Sequence, residues 1–119
     1  MRLLVCGGRV YSDEKAARAI LDYCHAETPI TVIIEGGARG ADSFARQWAR
    51  KNAVPVATFP ADWSQGPKGG PARNQKMVDE GQPDGAVAFP GGKGTADMVR
   101  RLKAADVPVW QPSAFISSK

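Results

Sequence analysis

Three short glycine-rich segments hold most of the residues whose types and spacing could do chemistry. They are Gly7-Gly8-Arg9, Gly36-Gly37-Ala38-Arg39-Gly40-Ala41-Asp42 and Gly91-Gly92-Lys93-Gly94-Thr95. Glycine lets the backbone turn through positive φ and come close to a ligand. Where such a turn opens a helix, the first backbone N–H groups have no helical acceptor and sit at the positive end of the helix dipole. That arrangement binds anions, phosphate above all. A single turn of this kind would serve equally well as a tight connection. Three of them, with Arg9, Arg39 and Lys93 embedded, point to a phosphate site. None is a Walker A loop, because the Lys-Ser/Thr pair after the glycines is missing, and none is a clean GxGxxG fingerprint.

Around the turns stand the residues that could act on what is bound. Arg39 and Arg73 offer guanidinium forks that match a phosphate bidentately. Glu35, Asp42 and Asp97 are the carboxylates nearest the turns in sequence, and Asp42 also suits a capping role at the helix that follows. Trp63 has two readings, stacking on a nucleobase or folding back over apolar surface. Cys6 reads as a buried structural thiol, because no histidine is placed to activate it; the lone His25 reads as a solvated residue near a helix end. Lys68 and the group Arg100, Arg101 and Lys103 read as solvated cations, and Trp48 and Trp110 as core. Without CxxC or HxxxH spacing, no metal site is expected, and no cofactor either.

The elements that position these residues follow from the apolar pattern. Arg2 to Cys6 is an apolar run suited to a strand buried on both faces, and it ends at Gly7-Gly8. Ser12-Asp13-Glu14 supplies helix-start chemistry, followed by Ala17, Ile20, Leu21 and Cys24 at helical spacing. Ile30 to Ile34 is a second strand. Ala41, Phe44, Ala45, Trp48 and Ala49 mark an amphipathic helix. Val54 to Phe59 is a third strand, and Pro55 assigns it to an edge. Pro60 to Pro71 is the longest irregular stretch, of the kind that forms a binding loop. Ala72 to Glu80 is a short helix with Pro71 in its first turn. Gly85 to Phe89 is the fourth strand, Thr95 to Ala105 the fourth helix, and Val107 to Trp110 the last strand. Five strands alternating with four helices predict an α/β, Rossmann-like three-layer sandwich with a mainly parallel sheet. Residues 1–112 form the single expected domain, with 113–119 as a flexible tail.

The 119 residues, 43% hydrophobic and 24% charged, suit one globular domain with its own core. A formal charge of +4 suits an anionic partner or simply solubility. Two cysteines, no signal peptide and no apolar run near the ~20 residues of a membrane span predict a cytoplasmic protein with no membrane partner.

Pro90-Gly91-Gly92-Lys93-Gly94-Thr95 resembles the PGGxGT signature of the SLOG superfamily, which includes the LOG-type nucleotide phosphoribohydrolases. Gly36 to Asp42 resembles the GGARGAD segment of its small cpYpsA-related (YspA-like) bacterial and phage branch, and is similar to a segment of DNA-processing protein A. Arg73 occupies the place of the arginine-bearing helix that precedes PGGxGT. The resemblance extends over nearly the whole chain. It implies a nucleotide-phosphate pocket at the ends of the first, second and fourth strands, lined by Gly7, Gly8, Arg9, Gly36, Gly37, Arg39, Gly40, Asp42, Arg73 and Gly91 to Thr95. It also implies a homodimer paired through helices. In LOG-type enzymes an arginine and a glutamate three residues after the Thr support cleavage of a nucleoside monophosphate. Here the glutamate position is Met98, with Asp97 one residue earlier, a turn of ~100° on a helix. The catalytic candidates are then Arg73, Asp97 and Glu35, with Asp42 another source of acid. The departure favours binding or sensing of a nucleotide-derived ligand, such as an ADP-ribose-like molecule, over nucleotide N-glycoside hydrolysis. Single-stranded nucleic acid is the third reading, weakened by the lack of a run of exposed aromatics.

Overall fold

The computed structural model describes residues 1–112, so the tail expected over 113–119 lies outside the described residues. The chain alternates β1 (Arg2–Cys6), α1 (Glu14–Glu27), β2 (Val32–Glu35), α2 (Ala41–Lys51), β3 (Val56–Thr58), a 3-10 helix (Trp63–Lys68), α3 (Gly69–Gly81), β4 (Gly85–Ala88), α4 (Lys93–Ala104) and β5 (Val109–Trp110). The strands form one sheet in the order β3-β2-β1-β4-β5. Every pairing is parallel, with Leu4 opposite Ile34 on one side and Ala86 on the other. The expected α/β class holds, and the sheet is wholly rather than mainly parallel.

The order fixes where the helices go. From β1 the chain steps outward to β2 and β3, then returns to the other side of β1 for β4 and β5. Right-handed crossovers therefore put α1 and α2 on one face and α3 and α4 on the other. The side-chain alternation of the strands serves both faces. Leu3, Val5, Ile33 and Val87 pack under α1 and α2 with Ala17, Leu21, Ala45 and Trp48. Leu4, Cys6, Ile34, Ala86 and Ala88 pack under α3 and α4 with Met77, Met98 and Leu102. Because strand order reverses between β1 and β4, the crevice beyond their carboxyl ends is where such sheets bind ligands.

Asp13 caps α1, its carboxylate accepting from the Ala16 amide at 3.0 Å. As Pro55 suggested, β3 lies at an edge. The irregular stretch proved shorter than expected: the 3-10 helix runs directly into α3, which begins at Gly69 instead of Ala72. The reason is packing. A Cβ on Gly70 would lie 3.0 Å from the Trp63 ring, so only a bare backbone passes beneath that indole. Trp110, expected in the core, is 36% exposed. Its strand has two residues at the sheet edge, and its ring meets Tyr23 edge-on at 5.7 Å. His25 is half-buried rather than solvated, its Nδ1 accepting from the Ile30 amide at 2.9 Å.

Gly40 joins two of the turns. Its φ is +71°, and a Cβ there would collide with the Gly8 carbonyl and lie 2.7 Å from the Arg9 carbonyl oxygen. Gly40→Ala should therefore lower unfolding free energy by at least about 2 kcal/mol. Gly94, within a helix and with nothing in 4 Å of its added Cβ, should accept alanine at a change of about 0.5 kcal/mol or a small gain. Chemical denaturation of the two variants checks the contrast.

Candidate functional site

The turns after β1, β2 and β4 meet over the crevice. The Gly8 amide donates to the Pro90 carbonyl at 2.8 Å, and the Ala41 amide donates to the Gly8 carbonyl at 3.3 Å. The three segments are thus stitched into one rim. A cleft of about 760 Å³ opens there, within the usual range for small-molecule sites. Its walls include Gly7, Gly8 and Arg9 from the first turn, Gly36 and Asp42 from the second, and Gly91 to Thr95 from the third. Arg73 and Asn74 from α3, Asp97 and Met98 from α4, and Trp63 complete it.

Not every residue expected at this cleft lines it. Gly37 and Arg39 face a smaller neighbouring cavity, and Gly40 lies under the Gly8 carbonyl. Glu35, fully buried, is absent from both linings. Its carboxylate accepts from Arg46 Nη1 at 2.6 Å, from the Gly37 amide at 2.7 Å and from the Thr58 hydroxyl. The first two contacts hold the β2–α2 turn together, and the third ties the end of β2 to the edge strand β3. Arg46 and Thr58 carried no role in the residue pattern. The eleven-residue separation of Glu35 and Arg46 crosses a turn, so no helical spacing announced it.

The second and third turns differ in one decisive respect. In the second turn the amides of Gly36 and Ala38 donate to Asp42 Oδ2 at 3.1 and 3.2 Å, and the Gly37 amide is engaged by Glu35. The chain's own carboxylates already occupy that anion position. In the third turn, Gly92, Lys93, Gly94 and Thr95 have amides with no acceptor among the described residues, and Gly92 supplies no side-chain cap to α4. Among the described residues the amides of Arg9, Arg39 and Gly40 also lack an acceptor, but the run of four open N–H groups at a helix start belongs to the PGGKGT turn.

Two residues of α3 tie that turn to the second. Asn74, buried, donates through Nδ2 to the Gly94 carbonyl at 3.1 Å and to Asp97 Oδ2 at 3.0 Å. Its Oδ1 accepts from Arg73 Nε at 3.0 Å, while Arg73 Nη1 donates to the Gly36 carbonyl at 2.6 Å. The Arg73 guanidinium is oriented without a hydrogen-bonded carboxylate, though Asp42 stands close enough to share its charge electrostatically.

Asp97 and Asp42 have opposite electrostatics. Arg101 Nε at 2.8 Å and Arg100 Nη2 at 3.2 Å donate to Asp97. The Arg101 hydrogen bond, with help from Asn74, holds the carboxyl below its usual range. Arg101 is accordingly held by Asp97 rather than freely solvated, while Arg100, 71% exposed, stays on the solvated face with a looser contact to Asp97. Their i,i+3 and i,i+4 spacing was a readable sign of both pairings. Burial pushes Asp42 up to about 6, and the Glu35 carboxylate adds to the rise, against the Ala38 and Gly36 amides and Arg73. Burial also pushes the Cys6 thiol up to about 12, as befits an inert structural residue.

The family model for the YspA, cpYpsA-related SLOG family matches residues 1–66. The chain belongs to that family. It is also similar to the Gene 61 protein of Mycobacterium phage D29, at 38% identity over 117 residues, which covers 91% of this chain and 93% of the phage protein. Membership in this SLOG family points in general to a nucleotide-related function, in keeping with the expectation drawn from the two glycine motifs. No helix of the described residues is long and apolar enough to cross a membrane, and no group of three or more potential metal ligands occurs among them.

Asp42 generates a test. A carboxyl with a raised folded-state pKa binds its proton more readily folded than unfolded. Its contribution to stability is thus present below about pH 4 and is lost as pH rises through about 6. Asp42→Asn keeps an oxygen for the two amides and removes the titration. The stability of the variant relative to the native chain should rise by roughly 2–3 kcal/mol between pH 4 and pH 7. Denaturation at several pH values reads this directly, and a constant difference would show an ordinary carboxyl.

Proposed function

We propose that the protein binds a nucleotide or nucleotide-derived small molecule, with a phosphate seated on the open amides of Gly92 to Thr95 and the rest of the ligand lying in the cleft. The observation that carries this reading is the contrast between turns. One helix start presents a run of free N–H groups beside Lys93, whereas in the competing turn Gly36 and Ala38 already donate to Asp42 and Gly37 to Glu35. Several donors converging with Lys93 and Arg73 far exceed a single exposed helix dipole, worth roughly 0.3–1 kcal/mol. Trp63, half exposed at the cleft wall with Arg9 over its ring, puts an aromatic group beside the ligand, and a base would stack there by displacing or joining that guanidinium. The SLOG membership supports the same class of ligand.

Hydrolysis of the N-glycosidic bond is a second reading, favoured by one observation. Asp42 lines the cleft with a pKa of about 6, close to what a general acid or base needs at neutral pH. Asp97 suits that role less well, because three donors engage its carboxylate. Glu35 lies outside the cleft lining. Binding remains the preferred function, because Met98 fills the position where the related hydrolases carry their glutamate.

A thermal-shift panel of nucleoside monophosphates tests the binding reading. At 100 times its dissociation constant a ligand adds ~2.7 kcal/mol, or about 10 °C for a chain of this size. Lys93→Ala removes the cation, and Lys93→Pro also removes one amide at a position where proline suits a helix start. The proline variant should bind more weakly than the alanine variant. Equal binding by the two would contradict an amide cradle. Chromatography of the same mixtures decides the second reading: free base that disappears with Asp42→Asn would make the protein a hydrolase.

A further inference from the structure

A second cavity of about 320 Å³ adjoins the cleft, and its lining brings Arg9, Arg39 and Arg73 together with Trp63, Pro60 and Ala61. The two spaces are contiguous, because Arg9, Arg73 and Trp63 line both. No carboxylate lines the second one. Asp42 lines only the cleft, Glu35 is engaged by Arg46 and Thr58, and Asp62 accepts from the Ser64 amide. Among the described residues Arg9 and Arg39 have no carboxylate partner, and the hydrogen bonds of Arg73 go to a backbone carbonyl and an amide side chain. Among the described residues Arg46, Arg100 and Arg101 are each paired with an acid, while Arg2, Arg18 and Arg50 are not; what sets Arg9, Arg39 and Arg73 apart is that they line one cavity. Asp42 offsets part of the Arg73 charge. Three guanidinium groups around a space with no carboxylate in its lining still repel each other, and an anion placed between them relieves that repulsion while accepting forked hydrogen bonds. Arg9 lies over the Trp63 ring at 5.5 Å, which orients its guanidinium beside the cavity.

We infer that the site takes two linked anionic groups, one at the α4 turn and a second between Arg9, Arg39 and Arg73, so that its ligand is a nucleoside diphosphate or a molecule built on one. This rests on the reading that the cleft binds a nucleotide phosphate. Consecutive phosphates of a DNA strand share the chemistry, but a strand also needs repeated stacking platforms. Among the described residues Trp63 is the one aromatic that lines either space.

Calorimetric titration of the full chain with matched pairs AMP/ADP, GMP/GDP, CMP/CDP and UMP/UDP, and with a 5′-phosphorylated oligothymidylate, tests the inference. For the base that binds best, the diphosphate should be tighter than the monophosphate by at least about tenfold. Arg39→Ala, an exposed substitution, should bring that ratio close to one, and Arg39→Lys should restore part of it. A native ratio near one, an undiminished ratio in Arg39→Ala, or an oligonucleotide tighter than every diphosphate would overturn the second subsite. Failure of every nucleotide to bind would instead overturn the underlying nucleotide reading.

Discussion

A backbone N–H that already donates to a buried carboxylate is not open to an incoming phosphate, and that competition organises this protein's strand-end edge. Asp42 and Glu35 flank the β2–α2 turn as buried carboxyl groups that accept from the amides of Gly36, Gly37 and Ala38. Burying them is costly unless they are paired, and the pairing makes the turn rigid. Its rigidity passes to the rest of the edge through Gly40 and Ala41, which pack on the Gly8 carbonyl, and through Arg73, which holds the Gly36 carbonyl. The third turn, without an internal acid among its own residues, keeps its amides open. Of the three similar-looking glycine turns, the second thus shapes the cleft with its own acids and the third keeps a run of amides open to a charge.

The sheet makes this division useful. Reversal of strand order between β1 and β4 sets the open turn next to Gly7 and Gly8 and opposite α3. Asn74 then couples the positions of Arg73, Gly94 and Asp97. Because Asn74 is buried and all three contacts converge on it, displacement of α3 would misplace the cation and the amide turn together.

Much of the architecture was legible in the residue pattern. Doubly buried strands read as continuous apolar runs, the helix stripes were regular, and Pro55 marked the edge strand β3. The gathering of the glycine turns on one edge followed from their place after strands. What the pattern did not disclose were contacts between distant segments: Glu35 with Arg46 and Thr58, Asn74 with the α4 turn, and the allocation of Arg39 to a second cavity. These depend on how crossovers bring side chains together in space, which period and composition do not encode. Trp110 was misjudged for a related reason, since a two-residue edge strand cannot cover an indole from both sides. The pairing of Asp97 with Arg100 and Arg101 was different, because helical spacing alone announces it.

Which amides remain open decides where a phosphate can sit, and backbone amide resonances observed during titration with a nucleoside monophosphate report it residue by residue. The largest shifts should fall on Gly92, Lys93, Gly94 and Thr95, with Gly36 and Ala38 nearly unmoved because Asp42 keeps them. Shifts concentrated on Gly36 and Ala38, with the α4 turn silent, would contradict it.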